Sequence, residues 1–117
     1  MQYICLIYSN EAIEPQPGTE EFVQYIQDYG DFTKRVQEDG VYVGGEALQP
    51  VATATTVSAI GGKVEVMDGP FAETKEQLGG YYVLDCENLD QAIAYAGMIP
   101  TAKHGRVEVR PIMVFDQ

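Results

Sequence analysis

Asp68 is the residue whose type and position point most directly to proton transfer. It ends the predicted strand Lys63–Met67, one side of which is an apolar row, and precedes Gly69 and Pro70, a pair typical of a tight turn. Burial at the end of an apolar row would favour the neutral carboxyl group, whereas turn amides donating to it would favour the carboxylate. A carboxyl group that exchanges its proton near neutral pH suits general acid or base catalysis. The alternative is an aspartate that only caps the turn.

A second candidate catalytic carboxylate, Glu46, follows Gly44 and Gly45 at the end of a predicted strand. Glycines within a strand allow a ligand or a neighbouring backbone to approach closely. We therefore expect Glu46 to work beside Asp68 in one pocket. The alternative is that the glycines form a β-bulge and that Glu46 has no chemical role.

Five further residues are candidates for ligand binding. Tyr81 and Tyr82 are consecutive in a predicted strand, so their side chains point to opposite faces of the sheet. A tyrosine with a buried ring and a solvated hydroxyl suits either a small-ligand pocket or a plain interface. The other three are Lys75, which could orient an acidic group from a polar loop, Arg110, and His104.

Arg110 and His104 each have a second interpretation. Arg110 shares its strand parity with Glu108, so an ion pair or an interface contact competes with a substrate clamp. His104 is the single histidine, lies in a predicted loop beside Gly105, and remains a candidate for proton transfer. One histidine and no Cys-x-x-Cys motif leave little material for a zinc site, so we expect no metal and no cofactor.

The charge balance excludes some classes of partner. The chain has eighteen acidic and seven basic residues, which gives a net charge of −11. A protein surface with this excess of negative charge repels nucleic acid and anionic lipid. No apolar run reaches the ~20 residues of a membrane span, and the first eight residues lack the basic region of a signal peptide. We therefore expect a cytoplasmic protein whose Cys5 and Cys86 are buried free thiols.

Two helices are predicted from patterning and capping signals. The first begins after Thr19, ends near Gly40, and has five apolar side chains at helical spacing on one face: Phe22, Ile26, Tyr29, Phe32 and Val36. The second begins after Asn88, which has Gln91 three positions on, and ends at Pro100.

Strands are predicted over Tyr3–Tyr8, from Val41, over Gly80–Cys86 and over Arg106–Phe115. A hairpin with a two-residue loop at Gly61-Gly62 is also expected, in a register that pairs Val57 with Val66 and Thr55 with Asp68. The resulting order is β-α-β, an inserted hairpin, and β-α-β, which indicates an α+β plait. Both helices cover one face of the sheet. The uncovered face is also apolar, so we expect a homodimer.

The segment Met67–Tyr82, MDGPFAETKEQLGGYY, resembles the DGPF-motif branch of the YCII-related proteins. The resemblance extends to Tyr3–Tyr8, Val43–Pro50, Thr53–Val57 and Val107–Pro111, and so covers nearly the whole chain as one domain, residues 1–117. It implies a ferredoxin-like fold that dimerises sheet to sheet into a dimeric α/β barrel, a scaffold that many proteins of small-molecule chemistry use. The resemblance supplies no reaction, and some members are encoded beside alternative sigma factors. A histidine in the first helix, suspected to be active in related proteins, has no counterpart here.

Two hypotheses about function stand at this point, and neither decides whether the chain is an enzyme. In the first, a small homodimeric protein binds or transforms a small organic molecule in a barrel pocket. Asp68 and Glu46 would handle protons there, and a tyrosine would place the ligand. In the second, the chain is a non-catalytic interaction or regulatory module linked to sigma-factor-dependent transcription, and its acidic exterior meets a basic partner.

Overall fold

A computed structural model describes residues 1–115 of the chain. It contains two helices and six strands, which follow the predicted order: β1 (Gln2–Ser9), α1 (Glu20–Glu38), β2 (Tyr42–Ala47), β3 (Thr55–Ser58), β4 (Glu65–Asp68), β5 (Gln77–Asp85), α2 (Leu89–Ala96) and β6 (Arg106–Pro111). Short 3-10 turns occupy Val51–Thr53, Ile60–Gly62 and Pro100–Lys103. Within the described range, no helix is both long enough and apolar enough to cross a membrane.

The main sheet has four strands in the order β2-β5-β1-β6, and every neighbouring pair is antiparallel. Each helix links two strands that are not neighbours in this sheet, and β3 and β4 form a separate two-stranded hairpin inserted between β2 and β5. This is the ferredoxin-like plait with an inserted hairpin, so the predicted α+β fold class is confirmed.

Both predicted N-caps are confirmed, but the end predicted for α2 is wrong. The Thr19 hydroxyl accepts a hydrogen bond from the Phe22 amide at 3.1 Å, and the side-chain oxygen Oδ1 of Asn88 accepts one from the Gln91 amide at 2.9 Å. Helix α2 stops at Ala96 with Gly97 as its C-cap, before the predicted boundary at Pro100. A 3-10 turn then carries the chain through Pro100–Lys103.

The core lies between the helices and one face of the main sheet. Leu84, Val36, Cys5 and Ile99 are almost completely buried there. Cys5 and Cys86 are free and buried, as predicted. Burial, with the Cys86 thiol nearby, raises the pKa of Cys5 to about 11, so this thiol stays protonated and unreactive.

The opposite face of the main sheet is partly apolar and carries no helix. Side chains of the alternate residues Ile4, Leu6 and Val83 lie there, half-buried. At the β6 edge, Arg110 pairs with Glu108 on the same strand. Among residues 1–115 no element covers this face.

The hairpin of β3 and β4 keeps the predicted register, with Thr55 opposite Asp68 and Val57 opposite Val66. The predicted two-residue loop is wrong, because regular pairing stops at Ser58 and Glu65 and a 3-10 turn occupies Ile60–Gly62. Val57 and Val66 are 62% and 63% exposed, so their apolar row is not covered within one chain. Isolated two-stranded hairpins are only marginally stable in water.

Two glycine pairs, Gly44-Gly45 in β2 and Gly79-Gly80 in β5, allow these strands to approach closely. A Cβ on Gly45 would lie 2.7 Å from the Tyr81 carbonyl oxygen, and one on Gly80 would lie 2.8 Å from the Glu46 carbonyl oxygen. The pairing of the two strands shifts register between Tyr42 and Gly44. The glycines before Glu46 therefore admit a neighbouring strand and stand beside an irregularity in the ladder.

Candidate functional site

A cavity of about 1090 Å³ lies between the first half of α1 and the helix-covered face of the sheet. Phe22, Ile26 and Tyr29 of α1 line one side, and Ile7 and Tyr82 of the sheet line the other. Two further segments complete the wall: the loop from β1 to α1, through Glu11, Ala12, Glu14, Pro15, Gln16 and Pro17, and the end of β2 with the residues after it, through Glu46, Ala47, Leu48, Gln49 and Pro50.

The cavity exists because the apolar face of α1 extends beyond the packed core. Phe32 and Val36, in the second half of the helix, are 5% and 0% exposed. Ile26, on the same face one to two turns earlier, is 54% exposed. An apolar side chain that is left uncovered inside a concave wall is available to a ligand.

Tyr82 is the centre of an aromatic cluster in the wall of the cavity. Its ring is parallel to that of Tyr29 with centroids 6.5 Å apart, and it meets Phe32 and Tyr42 edge to face at 5.0 and 6.3 Å. The Tyr82 hydroxyl lies 2.6 Å from the Thr33 hydroxyl. Burial raises the pKa values of Tyr82 and Tyr29, so both hydroxyls stay protonated.

A chain of hydroxyl groups runs along one end of the cavity towards a carboxylate. Thr101 is 1% exposed, and its hydroxyl is hydrogen-bonded to the hydroxyls of both Tyr25 and Tyr29. The Tyr25 hydroxyl also donates to Glu14 Oε1 at 3.3 Å, and the Ser9 hydroxyl donates to the same oxygen. Burial is the main cause that raises the pKa of Tyr25. Two neutral hydroxyl donors, Ser9 and Tyr25, thus meet at one carboxylate oxygen.

His104 lies behind this carboxylate rather than in the cavity wall. Its Nε2 atom is 4.0 Å from Glu14 Oε1, and its ring lies 5.8 Å from that of Tyr25. Nε2 is buried and has no hydrogen-bond partner in the described part of the chain, while the side chain as a whole is 29% exposed. The imidazole therefore connects the region of Glu14 to the solvent.

Carboxylates are the only charged side chains among the described residues that line the cavity. Besides Glu14 they are Glu11 and Glu46. Glu11 Oε2 accepts a hydrogen bond from the Val51 amide at 2.9 Å, which ties the β1–α1 loop to the residues after β2. Such a wall disfavours anionic ligands. Over residues 1–115, no three His, Cys, Asp or Glu side chains group closely enough to hold a metal ion.

The structure brings together three of the residues singled out from the sequence. Glu46, Tyr81 and Tyr82 all border the cavity. Because Glu46 is the β-ladder partner of Tyr81, the side chains of Glu46 and Tyr81 lie on the open face of the sheet, opposite to that of Tyr82. Tyr82 is buried beneath α1, whereas Tyr81 is half-buried.

Three other predicted residues lie elsewhere in the same chain. Asp68 is exposed at the end of β4, Lys75 is exposed in the loop before β5, and Arg110 is exposed on β6. None of them lines the cavity of its own chain. Their roles in catalysis or ligand binding stay predictions.

Glu14, Tyr25, Tyr29 and Thr101 belong to the site but were not predicted as functional residues from the sequence. Tyr25 and Tyr29 are four positions apart, a spacing that places two tyrosines side by side on a helix and could have drawn attention to them. Glu14 lies in a proline-rich loop and Thr101 in a 3-10 turn, and neither segment has a sequence pattern that indicates such contacts.

A solved structure with a similar fold is 5-chloro-2-hydroxyhydroquinone dehydrochlorinase from Burkholderia phenoliruptrix AC1100, in complex with 2,5-dihydroxybenzoquinone. Its TM-score is 0.51 at 12% identity, over 97% of this chain and 94% of that chain. At this identity the likeness concerns the fold alone.

Sequence comparison gives a closer relationship. The chain is 36% identical to an uncharacterised protein of Rhizobium meliloti (strain 1021), over 98% of this chain and 94% of the relative. The model of the YCII-related domain matches residues 1–116. The chain therefore belongs to the YCII-related family.

Proposed function

We propose that the protein binds a small, uncharged organic molecule in the cavity between α1 and the sheet. The observation that carries this proposal is the composition of the cavity wall, in which apolar and aromatic side chains surround a few convergent polar groups. Ligand sites in proteins typically have this composition. Support also comes from the structural neighbour, because a protein of this fold is in complex with a small ring compound.

The candidate residues take different places in this proposal. Tyr82 contacts the ligand directly, because its side chain lies on the helix-covered face that borders the cavity. Glu46 borders the cavity at the edge strand β2, but its side chain shares the open face with that of Tyr81, so a catalytic role for it depends on the dimer. Asp68 acts as an acid or base only if the dimer brings the hairpin of one subunit to the cavity of the other, since it lies outside the cavity of its own chain. The DGPF segment that follows Asp68 would approach the ligand by the same route.

A pair of matched variants tests whether the cavity is the binding site. Ile26 and Val23 are both exposed apolar residues of α1, at 54% and 66%, but only Ile26 lines the cavity. Ile26→Lys is expected to weaken binding by about tenfold or more, equivalent to about 1.4 kcal/mol, because the lysine occupies the cavity. Val23→Lys adds the same charge to the same helix and is expected to leave affinity unchanged.

The measurement is a titration with a mixture of small uncharged ring compounds, followed by NMR shifts of the cavity residues. Saturable shifts of Tyr25, Tyr29 and Tyr82 in the wild type support the proposal. Equal affinities of the Ile26→Lys and Val23→Lys variants would place any binding elsewhere. No saturable shift with any compound would contradict the proposal itself.

The functional unit that we propose is a cytoplasmic homodimer joined through the open face of the sheet. The half-buried apolar side chains of Ile4, Leu6 and Val83 on that face, and the buried free thiols, support this. Light scattering at micromolar concentration is expected to give twice the chain mass of 12.9 kDa. A mass equal to that of one chain would exclude the dimer.

A regulatory module that meets a basic partner remains the second candidate. The net charge of −11 and the exposed apolar row of Val57 and Val66 support it. A regulatory role of this kind does not require a ligand in the cavity. The ligand titration therefore separates the two candidates.

A further inference from the structure

The hydroxyl chain at the end of the cavity has one consistent direction. Each hydroxyl group has a single proton to donate. Since Tyr25 donates to Glu14, Thr101 must donate to Tyr25, and Tyr29 must in turn donate to Thr101. All three protons then point along the chain towards the carboxylate. Hydrogen bonds aligned in this way strengthen one another.

The end of this series of hydroxyl groups that is farthest from Glu14, at Tyr29, is open to a ligand. In the arrangement above, the Tyr29 oxygen has given away its proton and retains an acceptor lone pair. Tyr29 lines the cavity, so this lone pair can receive a proton from a molecule bound there. At the other end, Glu14 lies 4.0 Å from the unpartnered Nε2 of His104. One bridging water or a small rotation of either side chain closes that distance.

We propose that Tyr29, Thr101, Tyr25 and Glu14 form a proton relay that leads from a bound ligand to His104. The relay rests on the proposed function, because it requires a ligand in the cavity. The ligand class it fits is a small neutral compound with an acidic hydroxyl group, an enol or a phenol.

The transfer is balanced in atoms and charge. The ligand O–H bond breaks as an O–H bond forms on Tyr29, whose own proton passes to Thr101. The proton of Thr101 passes to Tyr25, and that of Tyr25 to Glu14. While the proton is on Glu14, the ligand oxygen holds the negative charge that Glu14 held, and the net charge of the cavity is unchanged. His104 then takes the proton from Glu14 and releases it to the solvent, which restores the carboxylate and leaves the ligand anion as one additional negative charge.

The charges around the relay fit a ligand that arrives neutral. Glu14 meets Ser9 from β1, Tyr25 from α1 and His104 from the loop before β6. The other charged residues that border the cavity are Glu11 and Glu46, both acidic. An anion would be repelled on entry, whereas a neutral enol or phenol enters without this repulsion and loses its proton only beside the relay.

The probe for the relay is 4-nitrophenol, whose ionised form absorbs visible light and whose neutral form does not. Its complexes with the wild type, Glu14→Gln and Tyr25→Phe are formed at a pH at which most of the free probe is neutral, and a rapid rise in pH then lets the bound probe ionise. Tyr25→Phe removes only the last hydroxyl before Glu14 and retains the ring, so it covers the case in which Glu14→Gln disturbs the loop. Glu21→Gln, on the exposed first turn of α1 and outside the cavity wall, is the matched charge control.

After the rise in pH, the bound probe is expected to ionise at least about a hundredfold faster in the wild type and Glu21→Gln than in Glu14→Gln or Tyr25→Phe, because a positioned proton acceptor accelerates proton transfer by about this factor. Binding of 4-nitroanisole, the methyl ether without a hydroxyl proton, shows whether each variant still admits a ring compound, so that lost binding is not mistaken for lost proton transfer. Equal ionisation rates of the bound probe in all four proteins overturn the relay. Binding of 4-nitroanisole without binding of 4-nitrophenol overturns the relay and leaves the cavity function intact. Failure of both probes to bind the wild type overturns the two proposals together.

Discussion

Gly105→Ala is expected to lower the free energy of unfolding by about 3 kcal/mol, the upper range for overpacking a folded core. A Cβ at this position would lie 2.2 Å from the carbonyl oxygen of Tyr8, and within 3.0 Å of both Ser9 and Thr101. The Tyr8 backbone cannot move away easily, because Tyr8 pairs with Arg106 in the ladder between β1 and β6. Denaturation by urea, followed by circular dichroism, measures the loss.

Gly79→Ala is the control for this substitution. A Cβ on Gly79 meets no atom within 4 Å, and its backbone does not have a positive φ. Its stability is therefore expected to stay within about 0.5 kcal/mol of the wild type. Similar losses for the two variants would show that glycine itself, and not the crowded position 105, determines the result. Because Ser9 and Thr101 line the cavity, Gly105→Ala is also expected to weaken ligand binding.

Tyr82→Ala is expected to cost about 4 kcal/mol of stability, in the range for removing a large aromatic side chain from a core. The Tyr82 ring is 9% exposed and contacts the rings of Tyr29, Phe32 and Tyr42. Its removal leaves a void that joins the cavity, since Tyr82 forms part of the cavity wall. The same urea denaturation measures this loss, and a ligand titration is expected to show weaker binding.

Tyr82→Phe separates the ring from the hydroxyl. Only the hydrogen bond to Thr33 is lost, and the Thr33 hydroxyl retains its bond to the Tyr29 carbonyl oxygen at 2.9 Å. The expected loss is about 1 kcal/mol, typical of one hydrogen bond. If Tyr82→Phe were as unstable as Tyr82→Ala, the hydroxyl and not the aromatic packing would be the source of the stability.

The fold could be predicted because its signals are local. The caps at Thr19 and Asn88 and the apolar alternation of the strands depend on residues a few positions apart. The register between Val57 and Val66 was also correct, although the loop at Gly61-Gly62 is longer than expected. The end of α2 was wrong because Gly97 ends the helix before Pro100 can do so.

The site could be predicted only in part, because its contacts join distant positions. Thr101 meets Tyr25 and Tyr29 across more than seventy residues of sequence, and no local pattern reports such a contact. Tyr82 was found because it lies in a recognisable strand. Asp68 was singled out on the expectation that the row of apolar side chains beside it would be buried. In one chain that row is exposed, so its burial depends on the proposed dimer.

The tyrosines that line the cavity also make the intrinsic fluorescence of the protein a measure of ligand binding. The chain has no tryptophan to mask tyrosine emission. Five of its eight tyrosines border the cavity: Tyr25, Tyr29, Tyr42, Tyr81 and Tyr82. A phenol that donates a hydrogen bond to a carboxylate, as Tyr25 does to Glu14, emits more weakly than a free one. A colourless ligand that redirects this hydrogen-bond chain would therefore change the intrinsic fluorescence, and occupancy can be followed without a label.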